Sequence, residues 1–197
     1  YNTADAQRTF EEALAIAPKN ARLLVAYAES FQSLAKKEEL ARKTLEINSN
    51  SVDAHNILVA LHIIDTNYEE AEAALKKALA VNPRHEISLG HFAAIHHLQN
   101  DTGAFAKTEA TILKTNPNCS NFYITIAENC ENRFRYKDAV EFSQRAIAKN
   151  DQHWKAYILM GSNLLRTGRI AEARRYLETG FKGDPFNVFA RNTLELM

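Results

Sequence analysis

The chain has 197 residues with 24 basic and 24 acidic side chains, so its formal net charge is zero. That balance argues against a nucleic-acid binder held by many phosphate contacts. No apolar run approaches the ~20 residues needed to span a membrane. Six glycines and four prolines are few, as a helical chain requires.

Apolar periodicity predicts helices at 3–17, 20–34, 36–48, 52–65, 67–81, 86–99, 102–115, 120–132, 135–149, 154–167, 169–182 and 187–197, with no strand signal. Four residues that close helical runs, Pro83, Pro117, Asp151 and Pro185, stand 34 apart. Ahead of Pro83, Asp151 and Pro185 stands an alanine-rich frame. It reads Tyr68, Ala71, Leu75, Ala78, Pro83 in one place and Tyr136, Ala139, Ala146, Asp151 in the next. It returns as Ile170, Ala173, Leu177, Gly180, Pro185, and the chain opens on it with Ala6, Phe10, Ala13 and Pro18. The helices after each break share one small position, filled by Ala28, Ala93, Ala127 and Gly161, with Val59 as a departure. A small residue there lets two helices of a pair cross closely. A fixed period of this length predicts stacked helix pairs.

This pattern resembles the tetratricopeptide repeat along essentially the whole chain. The resemblance implies an all-α, right-handed α-solenoid with about five full repeats and partial repeats at both ends. The expected division is 1–20 (second half of a repeat), 21–51, 52–85, 86–119, 120–153, 154–187, and 188–197 (first helix of a further repeat or cap). The 21–51 unit is short and degenerate, with its trimmed turn expected near Ala35–Lys37. Because both ends cut through units, the chain reads as a segment of a longer protein, and Val188, Phe189, Leu194, Leu196 and Met197 do not read as a polar cap. Open apolar ends also allow a homodimer.

Chemistry is sparse in the pattern. No two of the seven histidines sit at the i, i+4 spacing of a helical zinc pair, so neither a metal nor another cofactor is expected. No glycine-rich phosphate loop and no nucleophile motif stands out. The acidic pairs Glu11-Glu12, Glu38-Glu39 and Glu69-Glu70 read as solvated faces, as does the arginine group 166, 169, 174 and 175. Trp154 is expected to pack against the preceding repeat. Cys119 and Cys130 bracket one helix roughly 16 Å apart, beyond the ~7 Å that a disulfide tolerates. Free thiols suit the reducing cytoplasm, with a bacterial periplasm left open.

The resemblance implies that first helices line a concave groove that holds a protein or peptide. Projected onto this chain, the lining includes Asn56, Ala60, Ile63, Ile87, Gly90, Ala94, His97, Asn121, Ile124, Glu128, Lys155, Ile158 and Ser162. Its middle reads as small and apolar, suited to an amphipathic helix or extended apolar segment, or to neighbouring parts of the same protein. The lysine/asparagine clamp for C-terminal carboxylates is missing, since Val25, Glu29, Ile57, Ile87 and His91 stand at its places. An asparagine ladder is missing too. The expected function is a non-catalytic protein-binding scaffold. The alternative is the helical arm of a larger bacterial enzyme, because residues 184–197 resemble the junction into a peptidase-MA-like metalloprotease domain. This chain has no His-Glu-x-x-His of its own.

Overall fold

The computed structural model describes residues 3–197, with side chains from Asp5 onward. Its described residues form helices joined by short turns, with no strand among them. They are α1 (Thr3–Ile16), α2 (Ala21–Glu29), α3 (Leu34–Ile47), α4 (Val52–Ile64), α5 (Tyr68–Val81) and α6 (Glu86–Leu98). There follow α7 (Thr102–Thr115), α8 (Ser120–Asn132), α9 (Tyr136–Lys149), α10 (Trp154–Arg166), α11 (Ile170–Gly183) and α12 (Val188–Leu196). No described helix is long and apolar enough to cross a membrane. The helices fall into two compact units, residues 1–88 and 89–197.

Turn chemistry explains where the helices stop. After each of α4, α6, α8 and α10 one residue takes a left-handed conformation: Thr66, Asn100, Phe134 and Gly168, with φ of 62°, 61°, 60° and 79°. The following amide reaches back to the carbonyl five residues before it. These bonds are Asn67 to His62, Asp101 to His96, Arg135 to Cys130 and Arg169 to Leu164, at 2.8–2.9 Å. That is the Schellman closure, which satisfies carbonyls the helix end would orphan. The turns after α3, α5, α7, α9 and α11 use another device. Asn48, Asn82, Asn116, Asn150 and Asp184 each accept, through Oδ1, the amide two residues on, at 3.0–3.3 Å. Such Asx turns bend the chain cheaply. Pro83, Pro117 and Pro185 sit exposed beside them. Helix starts are capped by Asn20, Ser33, Ser51, Asp101 and Asn187, whose side chains accept amides of the first turn.

In the first unit, Leu24, Tyr27, Ala28 and Leu40 form a core packed by Phe10, Leu14, Phe31 and Ile57. A second group, Ala41, Leu58 and Leu61, joins α3 to α4. The shortened turn lies at residues 30–33, not at Ala35–Lys37. Helix α2 ends at Glu29 because Phe31 turns inward and meets the Tyr27 ring edge-on at 4.8 Å. Burying that ring replaces the last helical turn.

In the second unit, Val140, Met160, Leu164 and Ala173 pack with Ile147 and Tyr176. Ile158, Leu177 and Ala190 pack with Phe181 and Leu194. The small positions lie where the helices meet: Ala28, Ala71, Ala78, Ala93, Ala127, Ala139, Ala146 and Ala173 are all fully buried. A Cβ on Gly161 would stand 2.6 Å from Leu177 Cγ, so this helix pair has no room for one. Trp154 packs towards the following helix. Its ring covers Gly183 at the end of α11, where a Cβ would collide with it. Cys119 and Cys130 are both buried and are not joined in a disulfide.

Candidate functional site: the first-helix face and a buried polar cluster

The projected lining residues divide sharply by burial. In the first unit, Ile63 is fully buried and Asn56 is buried in a polar network. Ser88 Oγ donates to Asn56 Oδ1 at 2.9 Å, and Asn56 Nδ2 reaches His85 Nδ1 at 3.3 Å. Ala60 is half-buried, and Ile87 is exposed. In the second unit, Ala94, Ile124 and Ile158 are buried among helices. Gly90 is buried too: a Cβ there would lie 2.8 Å from Phe122 O and from Thr125 Cβ, so glycine permits α6 and α8 to approach. Most of the apolar middle expected from the sequence is therefore taken up by helix–helix packing, with Ile87 and in part Ala60 left accessible.

What remains at the surface of α8 and α10 is polar. Asn121 and Lys155 are exposed, and Lys155 Nζ pairs with Glu128 at 2.7 Å. One turn on, Ser162 Oγ donates to Glu131 Oε1 at 3.0 Å, and Arg166 Nε stands 3.7 Å from the same oxygen. Burial pushes the Glu131 carboxyl above its usual range, against the opposing pull of Ser162 and Arg166. These pairs cross between α8 and α10 and hold the two first helices in register.

A second cluster lies where α6, α8 and α9 meet. His97 Nε2 donates to Asp138 Oδ2 at 3.0 Å, and Arg135 Nε stands 2.5 Å from that oxygen. The buried Cys130 Sγ completes a trio whose ligand atoms all lie within 4.8 Å of one another. Phe142 meets the His97 ring edge-on at 4.9 Å, and Phe105 lies at 5.9 Å. Burial pushes the Cys130 thiol up to about 12, so it is no nucleophile at neutral pH. His97 was expected in the groove lining. The trio was not read from the sequence, because its members come from three helices, at spacings of 33 and 8 residues.

Buried amides form a third feature. Asn129 Nδ2 donates to Thr125 O at 2.7 Å and to His91 Nδ1 at 3.0 Å. Asn163, one period on, donates to Leu159 O at 2.8 Å. The Oδ1 atoms of both have no hydrogen-bond partner among the described residues. An open surface depression of about 680 Å³ lies elsewhere, over α3 and α5, lined by Leu45, His55, Lys77 and Val81.

Residues 52–85 match the tetratricopeptide repeat family model. A comparison with curated proteins gives no match. Solved structures do match. A tetratricopeptide repeat protein from Parabacteroides merdae aligns with a TM-score of 0.63 at 17% identity, covering 98% of this chain and 77% of that one. PilW, a widely conserved type IV pilus biogenesis factor, aligns at 0.56 and 20% identity, covering 98% and 91%. YrrB, a tetratricopeptide protein with an unusual peptide-binding site, aligns at 0.50 and 15% identity, covering 94% and 97%. These matches do not bear on the peptidase-MA resemblance of residues 184–197. The chain carries a tetratricopeptide repeat at residues 52–85 and has the all-α fold of tetratricopeptide-repeat proteins.

Proposed function

We infer that this chain is a protein-interaction module that holds a peptide or helical segment of a partner on its first helices. The observation that carries this reading is the ordered polar face of α8 and α10. There Asn121, Glu128 and Lys155 are accessible and the Lys155–Glu128 and Ser162–Glu131 contacts fix the helices in place. Preformed polar groups on rigid helices suit a ligand whose backbone or charges are read, and pre-organisation reduces the cost of binding. The face takes a partner with alternating charge more readily than a purely apolar helix. In the first unit, exposed Ile87 and half-buried Ala60 are the accessible members of the corresponding face. YrrB, with its peptide-binding site, shares the fold and lends the reading general support.

The test is a pull-down with the 197-residue chain beside the double variant Asn121→Arg, Lys155→Glu, both checked for helicity. We expect one partner to be enriched by the wild type and lost with the variant. A partner retained at full level by the variant, or a folded bait that enriches nothing, contradicts the reading. A further association mode is pairing of two copies through α12, where Phe189 and Leu196 are exposed. Sedimentation of the chain over a concentration range reads it directly.

A further inference from the structure

We propose that His97, Cys130 and Asp138 bind a single divalent transition-metal ion of the zinc class. Three observations carry this. First, the three side chains offer an imidazole nitrogen, a sulfur and a carboxylate oxygen, all within 4.8 Å of one another. That donor set matches zinc, which takes nitrogen, sulfur and oxygen ligands at about 2.0–2.3 Å in a four-coordinate site. Hard cations such as magnesium and calcium select oxygen cages instead. Second, each ligand sits on a different helix, α6, α8 and α9, so an ion would tie three helices with side chains already brought close by packing. Third, the site has a dry side and a wet side. Cys130 is fully buried and Phe105 and Phe142 flank the imidazole, while the His97 and Asp138 side chains are about a quarter exposed. The wet side gives an ion its entry and leaves the fourth position to water.

Arg135 is the group that must give way. Its Nε pairs with Asp138 Oδ2 and its Nη1 donates to His97 O at 3.3 Å. The guanidinium neutralises the carboxylate when no ion is bound, and its side chain, one-third exposed, can turn to solvent when an ion replaces it. On binding, the ion takes the place of the Cys130 thiol proton, which leaves to water. His97 then coordinates through Nε2: the proton that Nε2 shared with Asp138 leaves to water and Nδ1 takes one up, a change of tautomer that gives up the hydrogen bond to Asp138. The ligand atoms need to close by about an ångström to reach zinc distances, a movement that side-chain rotation supplies.

The test is titration of the reduced, metal-free chain with Co²⁺, followed by displacement with Zn²⁺. We expect a thiolate-to-cobalt charge-transfer band that saturates at one equivalent and disappears when Zn²⁺ is added. Cys119→Ser should keep the band, and Cys130→Ser should lose it. His97→Gln, which spares the buried thiol, should weaken Co²⁺ binding at least tenfold and guards against a Cys130 variant that fails to fold. Zn²⁺ should also raise the Tm of the wild type and not that of His97→Gln. No charge-transfer band from the folded wild type, or an undiminished band in Cys130→Ser or His97→Gln, overturns the proposal.

Discussion

At the scale of single residues, this chain depends on positions where a side chain has no room or no partner. Gly161 is the clearest. Its missing Cβ is the space that Leu177 occupies, with Ala173 O only 3.2 Å from where a Cβ would stand. Gly161→Leu should overpack α10 against α11 and lower stability by about 1–3 kcal/mol, read as a fall in the urea midpoint at unchanged slope. Asn163 predicts the opposite sign. It is fully buried, and its Oδ1 has no partner among the described residues, so its amide carries an uncompensated desolvation cost. Asn163→Leu, of similar volume, should raise the midpoint by the equivalent of about 1 kcal/mol. Asn129 occupies the equivalent place but also donates to His91, so Asn129→Leu should be the less favourable of the two. A larger gain at 129 than at 163 would show that the His91 bond contributes nothing.

At the scale of the helix pair, the polar contacts between α8 and α10 set the register of the face proposed to bind. Glu131 sits at their centre, with its carboxyl held above the usual range chiefly by burial. The sign follows by linkage. A carboxyl whose folded pKa is raised costs stability once it ionises. That cost is absent below the unfolded pKa of about 4.3 and fully present above the folded pKa. Glu131→Gln keeps an acceptor for Ser162 Oγ while removing the charge. It should therefore be as stable as the wild type or more so at neutral pH, with the difference vanishing in acid. Paired denaturation curves at pH 7 and at pH 3 check this, and a variant less stable at neutral pH would mean that the Arg166 pairing outweighs burial.

The helices were legible in the sequence because most of them repeat one frame of small and apolar residues. Observed ends fall within about a residue of expectation, except at the end of α2 and the start of α3, which flank the misplaced short turn. Phe31 reads as a helical apolar residue, and nothing local says that its ring will close a turn instead. The prolines drew attention in the loops, yet the residues that hold those turns are Asn48, Asn82, Asn116, Asn150 and Asp184, a longer unbroken series at the same period. The left-handed residues carry a signature at Gly168 and a weaker one at Asn100, whereas Thr66 and Phe134 carry none. At the candidate site, helical projection places residues on a face but cannot tell surface from interface. Gly90, Ala94, Ile63 and Ile124 therefore read as lining and prove to be packed. The His97–Cys130–Asp138 trio needed three helices assembled before its members met.

At the scale of the whole chain, the helices form two compact units, and the second presents a polar face on α8 and α10. Partners are expected to engage that face, not the second-helix side. The most direct measurement places a photo-crosslinking residue singly at position 121, on α8, or at position 80, exposed on α5, and irradiates each chain in lysate of its source cell. A discrete crosslinked partner is expected from position 121 and none from position 80. Capture from position 80 with none from position 121 would contradict it.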